Sequence, residues 1–370
     1  MSVKDESLKE QAQVLLEEFQ QASLEPMSPA DGVDRYLEAR KPELAEGTLD
    51  DYERSLQKFL TWCENEGVTD LNNLSSRDVD DYRVWCREES SDEVNQLAPK
   101  TMRDQMYLLK SLLEYLSSVD AVEPGLPDTV QVPGLDPNDG VKDRFIEPER
   151  VNDILSHLET YEYATTAHAV WVLACNTGRR PGGLRSLDLS DIHLDGKEPY
   201  IEFNHDEDLR LKNEQKSESE VNLPPDAAAV IADYIETVRT DITVNGRQPL
   251  LTTAQGRIST STIRRHFYDY TRPCQVGKDC PHDKDPETCR AATDIHEASK
   301  CPSSEPPYSS RHGHITALLK AGCPPKVVSR RCDVSTDVIE KHYDERSKAE
   351  KRESRREVLD NLDEDTGGYL

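Results

Sequence analysis

Residues 308–343 read YSSRHGHITALLKAGCPPKVVSRRCDVSTDVIEKHY, and this stretch decides the fold. Ile315, Leu318 and Leu319 fall at helical spacing, and Gly322 with Pro324 closes that helix. Ser335 is an N-cap for a second, short helix. Asp337 sits in its first turn, where a carboxylate meets the positive end of the helix dipole, and the helix leads into Tyr343. Two helices of one domain therefore deliver an arginine, Arg311, and a tyrosine, Tyr343.

Working upstream, Ala169 to Cys175 is a continuous apolar run, which predicts a buried helix ended by Gly178. Thr177-Gly178-Arg179-Arg180 stands at its end, followed by Leu184, Leu187 and Leu189. Tyr200 to Phe203 and Val221 to Leu223 alternate in polarity around a very polar stretch, which predicts a hairpin with a long turn carrying Lys212 and Lys216.

The first third of the chain has a different pattern. Leu8, Leu15, Leu16 and Phe19 predict a polar helix over 1–25, broken by Ser28, Pro29 and Gly32. Residues 26–120 predict four short helices, with Thr48, Ser75, Ser76 and Thr101 at their starts, in a small bundle. Pro124, Pro127, Pro133 and Pro137 mark a linker over 121–143. A second domain spans 144–358, and an acidic tail, 359–370, reads as disordered. The fold class expected is mainly α with a small β-sheet (α+β).

Composition bounds the function. The chain has no apolar run of the roughly 18 residues needed to cross a bilayer, and no signal peptide at its start, so a cytoplasmic protein is expected. Nine cysteines in such a chain favour metal binding or simple burial over disulfides. A net charge of −27 argues against a nucleic-acid partner, whose phosphates demand cations, unless a salt-adapted acidic surface spares a local basic one.

The three motifs overturn the charge argument. Thr177-Gly178-Arg179-Arg180, Tyr308-Ser309-Ser310-Arg311-His312 and Val338-Ile339-Glu340-Lys341-His342-Tyr343, in that order and spacing, resemble the catalytic domain of the tyrosine recombinases (phage-integrase family). The resemblance covers Arg144 to about Arg346, and the helical bundle before it is similar to the family's core-binding domain. The acidity and the Cys-rich insert look most like integrases of halophilic archaea.

The resemblance implies that Arg180 and Arg311 clamp a DNA phosphate and that Tyr343 is the nucleophile. Either Lys212, which is favoured, or Lys216 supplies the general acid. The chemistry suits these residue types. Guanidinium forks make bidentate, charge-assisted bonds to non-bridging oxygens. A phenol with a pKa near 10 needs that positive field to attack. The ester to tyrosine keeps the bond energy, so neither metal nor nucleotide is required for catalysis. The sequence departs from the family at three positions. Tyr308 stands in place of histidine or lysine, Val334 in place of histidine or tryptophan, and Gly183 in place of an acidic residue that supports the first arginine. His312, His314 or His342 are candidate stand-ins for the contact missing at Val334.

Cys274, Cys280, His282, Cys289 and Cys301 form a C-x5-C-P-H-x6-C-x11-C cluster just before Arg311, with a donor set suited to a structural zinc or, alternatively, to simple burial. Lys100, Thr101, Arg103 and Lys110 in the bundle, and Arg264 and Arg265 at a helix start after Ser261, are candidate contacts to double-stranded DNA. The resemblance further implies a homo-tetramer on DNA, with the charged helix over 348–356 docking on a neighbour. Two other functions compete: a catalytically weak DNA-binding relative of the family, and an acidic, zinc-stabilised interaction protein.

Overall fold

A computed structural model describes residues 24–88, 96–136, 139, 144–344 and 346–360. The helix expected over 1–25 lies almost wholly outside these residues, as does the tail beyond 360. The chain divides into two compact units, Met1–Lys142 and Asp143–Leu370.

The first unit is built from helices α1 (Pro29–Arg40), α2 (Glu46–Glu66), α3 (Ser76–Glu88) and α4 (Pro99–Ser118). Ser28 and Pro29 start a new helix, and Gly32 lies inside it: Ser28 Oγ accepts from Asp31 N at 3.1 Å, and Pro29 takes the first turn, where no N–H is needed. Thr48 and Thr101 lie inside helices that begin earlier, at Glu46 and Pro99. On α4, Met102, Met106, Leu109, Leu113 and Leu116 recur at helical spacing and are buried against α1, α2 and α3. The one amide among them, Gln105, is satisfied by Tyr82 Oη at 2.8 Å and Ser55 O at 3.0 Å. Ala121, Val122, Leu126 and Val130 are buried in this same core. The stretch expected to be linker from 121 is thus packed structure through 130. Its prolines turn the chain back onto α4, because the apolar residues between them have a surface to cover.

In the second unit, helix α5 (Pro148–Tyr161) precedes α6 (Thr166–Thr177), which is buried on nearly every face from Ala167 to Ala174. A helix apolar all round must be enclosed. Helices α5, α7 (Pro181–Ser186), α8 (Pro225–Thr237), α9 (Thr260–Tyr270) and α11 (Pro307–Lys320) enclose it. Trp171, fully buried, packs on Phe267 with ring centroids 4.3 Å apart. A three-stranded antiparallel sheet, β1 (Ile192–His193), β2 (Tyr200–Phe203) and β3 (Ser219–Asn222), lies beside this core, with Ile201, Phe203 and Val221 inward. The sequence pattern missed β1 and the two-residue hairpin β4 (Thr252–Thr253) and β5 (Gly256–Arg257), which are too short to show periodicity. A short helix, α10 (Arg290–Thr293), lies in the Cys-rich stretch.

Helices α11, α12 (Pro325–Cys332) and α13 (Thr336–His342) share a small apolar cluster of Ile315, Leu319, Val328, Cys332, Val334, Ile339 and Tyr343. Ser335 caps α13 by accepting from Val338 N, as the sequence predicts. A last helix, α14 (Lys348–Asp360), runs into the start of the expected tail.

Candidate active site at the end of a buried helix

Helix α6 ends on Gly178, whose φ of 62° is left-handed. A Cβ there would stand 2.6 Å from His314 and 2.8 Å from Cys332, so only glycine lets α6 meet α11 and α12 this closely. That close approach builds the site. Arg180 leaves the end of α6, Arg311 rises from α11, and Asp333 follows α12.

Asp333 O accepts from Arg180 Nη1 at 2.7 Å and from Arg311 Nη2 at 3.0 Å, so one backbone oxygen bridges both guanidinium groups. Arg311 also donates from Nη1 to Gly178 O at 2.6 Å and to Cys332 O. It is only 4 % exposed, and burial together with the nearby Arg180 lowers its pKa, while Tyr343 and Asp333 oppose the shift. Arg180 makes a salt bridge to Asp333 Oδ2 at 2.8 Å and keeps 30 % of its side chain exposed.

Tyr343 sits at the end of α13, 3 % exposed, with its ring 4.8 Å from that of His312. Its hydroxyl donates to Tyr308 Oη at 3.2 Å. The Tyr308 phenol is pushed above its usual value by partial burial and by the Tyr343 hydroxyl, with Arg311 and Arg180 opposing. Tyr308 is therefore a neutral phenol at physiological pH and offers Tyr343 a lone pair.

The adjacent arginine has another task. Arg179 is buried and donates to Ser217 O at 2.8 Å, Arg331 O at 3.0 Å and Ser219 Oγ, while its guanidinium lies 4.2 Å from the centre of the Phe203 ring. It ties the β2–β3 hairpin to α12, and burial lowers its pKa to about 10.

Lys212 and Lys216 are both exposed in the turn between β2 and β3. That turn is pinned twice: Asn213 Nδ2 donates to Asp333 Oδ1 at 2.8 Å, and Ser217 O accepts from Arg179. The pins hold the turn beside Arg180 and do not separate the two lysines.

Of the three candidate stand-ins at the Val334 position, His314 is excluded. It is walled in, its pKa is lowered to about 4 by burial and by Arg331 and Arg311, and its Nε2 has no partner. His312 is the histidine against Tyr343, with Nε2 3.3 Å from His342 O. Val334 itself is part of the apolar cluster. Sequence reasoning missed Asp333 and Asn213. The available signal was an aspartate at the left-handed position closing α12, φ 52°, between that helix and the Ser335 cap.

Residues 31–119 match the family described as phage integrase, N-terminal SAM-like domain. The Tn1549 transposon integrase, solved in complex with a circular intermediate DNA, is 14 % identical and aligns over 90 % of this chain and 99 % of its own, with a TM-score of 0.61. A lambda integrase dimer bound to a COC′ core site is 14 % identical over 87 % of this chain and 97 % of its own, TM-score 0.54. The chain has the tyrosine recombinase fold. The N-terminal domain of a phage integrase/site-specific recombinase from Haloarcula marismortui is 32 % identical over 30 % of this chain and 99 % of its own, TM-score 0.27. No curated protein matches the sequence.

Within the recombinase fold, the candidate DNA-contacting residues of the bundle lie along α4. Lys100 and Thr101 are exposed. Arg103 lies 5.3 Å over the half-exposed ring of Tyr107, an aromatic partner the sequence reading did not include. Lys110 approaches Asp128 at 3.7 Å. In the second unit, α9 begins at Thr260 with Ser259 as its cap, one turn ahead of Arg264 and Arg265. Arg264 is exposed and Arg265 half-buried, while His266 turns inward and is lowered to about 4 by burial.

Cys274, Cys280, His282, Cys289 and Cys301 all line one cavity of about 30 Å³. His282 Nε2 is 2.8 Å from Ser303 Oγ. Among the described residues, no three such side chains form a group able to hold a metal ion. The donors face one space without converging. No described helix is long and apolar enough to cross a membrane.

Proposed function

We propose that this chain is a site-specific DNA recombinase that cleaves and rejoins DNA through a 3′-phosphotyrosyl bond at Tyr343. The reading rests on one observation: Arg180 and Arg311 share the Asp333 carbonyl, and Tyr343 meets Tyr308 and His312, which stand on either side of Arg311 on its helix. In the reaction, Tyr343 Oη bonds to phosphorus and the P–O5′ bond breaks. Tyr343, oriented by its hydrogen bond to Tyr308 Oη, gives up its phenolic proton to solvent, and the leaving 5′-oxygen takes a proton from Lys212 or Lys216. The exposed edge of Arg180 and the guanidinium of Arg311 carry the charge that develops on the non-bridging oxygens. Such donors are each typically worth about 10²–10³ in rate. Rejoining runs the same steps backward, with a different 5′-hydroxyl attacking the phosphotyrosine.

Double-stranded DNA is the proposed partner, with Lys100, Thr101, Arg103, Lys110, Arg264 and Arg265 as contacts and a homo-tetramer as the active assembly. The net charge of −27 suits a salt-adapted surface on a cytoplasmic protein. DNA binding is then expected to persist at salt concentrations that dissociate ordinary basic proteins. The test is a nicked suicide duplex carrying the inverted repeats that flank the gene. A covalent protein–DNA band, lost in Tyr343→Phe, supports the reading. Binding without a band selects the catalytically weak relative, a reading favoured by Tyr308 and Val334. No binding at any salt selects the interaction protein.

A structural zinc at Cys274, Cys280, Cys289, Cys301 and His282 is proposed as a brace ahead of Arg311. Two observations favour it: the donors line one cavity, and of residues 273–303 only Ala298 is buried, so the segment lacks a core of its own. Binding would draw the side chains inward to tetrahedral distances. Elemental analysis should find one zinc per chain. Protein purified without chelators and free of zinc removes the proposal.

A further inference from the structure

Gly183 leaves the first arginine of the clamp without an acid on its own helix. Its Cβ position faces Arg179 and Phe203 at ordinary contact distance. The carboxylate beside Arg180 comes instead from Asp333. Oδ2 takes Arg180 Nη1 at 2.8 Å, and Oδ1 takes Asn213 Nδ2 at 2.8 Å. The two oxygens of one side chain thus join the clamp to the turn that carries Lys212 and Lys216.

Two roles fit a carboxylate at a phosphate site: a plug that occupies the anion's place, or a support behind the arginine. Exposure separates them. The Asp333 side chain is 10 % exposed and the Arg180 side chain 30 %. Every bond of Arg180 to Asp333 uses Nη1, so the Nε and Nη2 edge faces away from the carboxylate. A phosphate can take that edge without displacing Asp333.

We infer that Asp333 is a positioning residue, which fixes the Arg180 guanidinium from behind and docks the Asn213 turn beside it. The inference rests on the recombinase reading above. The left-handed backbone at 333, φ 52°, supplies a discriminating variant. Glycine is at ease in that conformation and asparagine tolerates it, so Asp333→Gly and Asp333→Asn remove the carboxylate without straining the helix end.

The experiment uses the full-length protein and the nicked duplex described above, with single-turnover rates of covalent-band formation, the DNA Kd and the Tm. Asp333→Gly should keep its Tm and keep or tighten its Kd, because a negative charge has left the phosphate site. Its cleavage rate should fall about 10²-fold, the scale of an ångström-level misplacement. Asp333→Asn should recover part of that loss. Asn213→Ala should slow cleavage less, and adding it to Asp333→Gly should cost nothing further, because one link is cut only once. An Asp333→Gly enzyme that cleaves as fast as wild type overturns the inference, and one that cleaves faster assigns Asp333 as a plug. Additive losses in the double variant overturn the docking of the turn. A wild-type protein that binds the duplex and forms no band removes the recombinase reading itself, a result distinct from these.

Discussion

Tyr343 donates its phenolic hydrogen to Tyr308 Oη at 3.2 Å, so the candidate nucleophile is oriented by the group standing in the family's histidine or lysine position. Removing that acceptor should slow attack without touching the clamp. Tyr308→Phe is expected to reduce covalent-band formation about 10²-fold, the scale of a misplaced reacting group, with DNA binding unchanged. Tyr308→His should restore part of the rate and introduce a pH dependence near neutrality, absent from the wild type because its phenol stays neutral there. A Phe variant as fast as wild type would show that the Tyr308 hydroxyl does not orient Tyr343.

Arg179 and Arg180 should fail in different ways. Arg179 is buried and donates to Ser217 O and Arg331 O, so Arg179→Ala removes these buried hydrogen bonds and should cost about 3 kcal/mol of stability. Arg180→Ala should leave the Tm nearly unchanged and abolish cleavage. Thermal melts beside the cleavage assay separate the two, and equal Tm losses would refute the division of labour.

Gly178→Ala should destabilise the second unit. The added Cβ meets His314 and Cys332 below 3 Å, and φ of 62° disfavours any side chain. A loss of about 2 kcal/mol or more is expected from strain and overpacking together. Urea titration measures it, and an unchanged midpoint would mean that α6 and α12 are not held this close.

Stability should fall as the solution is acidified below neutrality. His266 and His314 are both held near pKa 4 by burial, against an unfolded value of 6.5. Between those values the unfolded chain binds protons that the folded chain refuses, so stability is full above about 6.5 and is lost as pH falls toward 4. Melts at pH 7 and pH 5 should differ, and His266→Gln combined with His314→Gln should flatten the difference. An equally steep loss in the double variant would place the acid sensitivity elsewhere.

The local elements were legible in the residues. The apolar run from Ala169, the glycine stop at 178, the Ser335 cap and the β2–β3 alternation each follow from periodicity and capping, which act over one helical turn or one strand. Element starts and the linker were less legible. Thr48 and Thr101 resemble caps although nothing local forbids the helix from beginning sooner. The prolines after 120 announce a turn without saying that Val122 and Leu126 would find a core.

The sequence alone singled out the candidate residues for the chemistry: two arginines and a tyrosine in three motifs, with spacing that fixes their helices. Only the tertiary structure decided what stands behind them. Asp333 reaches Arg180 across 153 positions and Asn213 across 120, and Arg179 was divided from its neighbour by the direction of its side chain. Such contacts depend on how three helices pack at a glycine too small to hold them apart, and no local pattern encodes a distance between segments that meet only after folding.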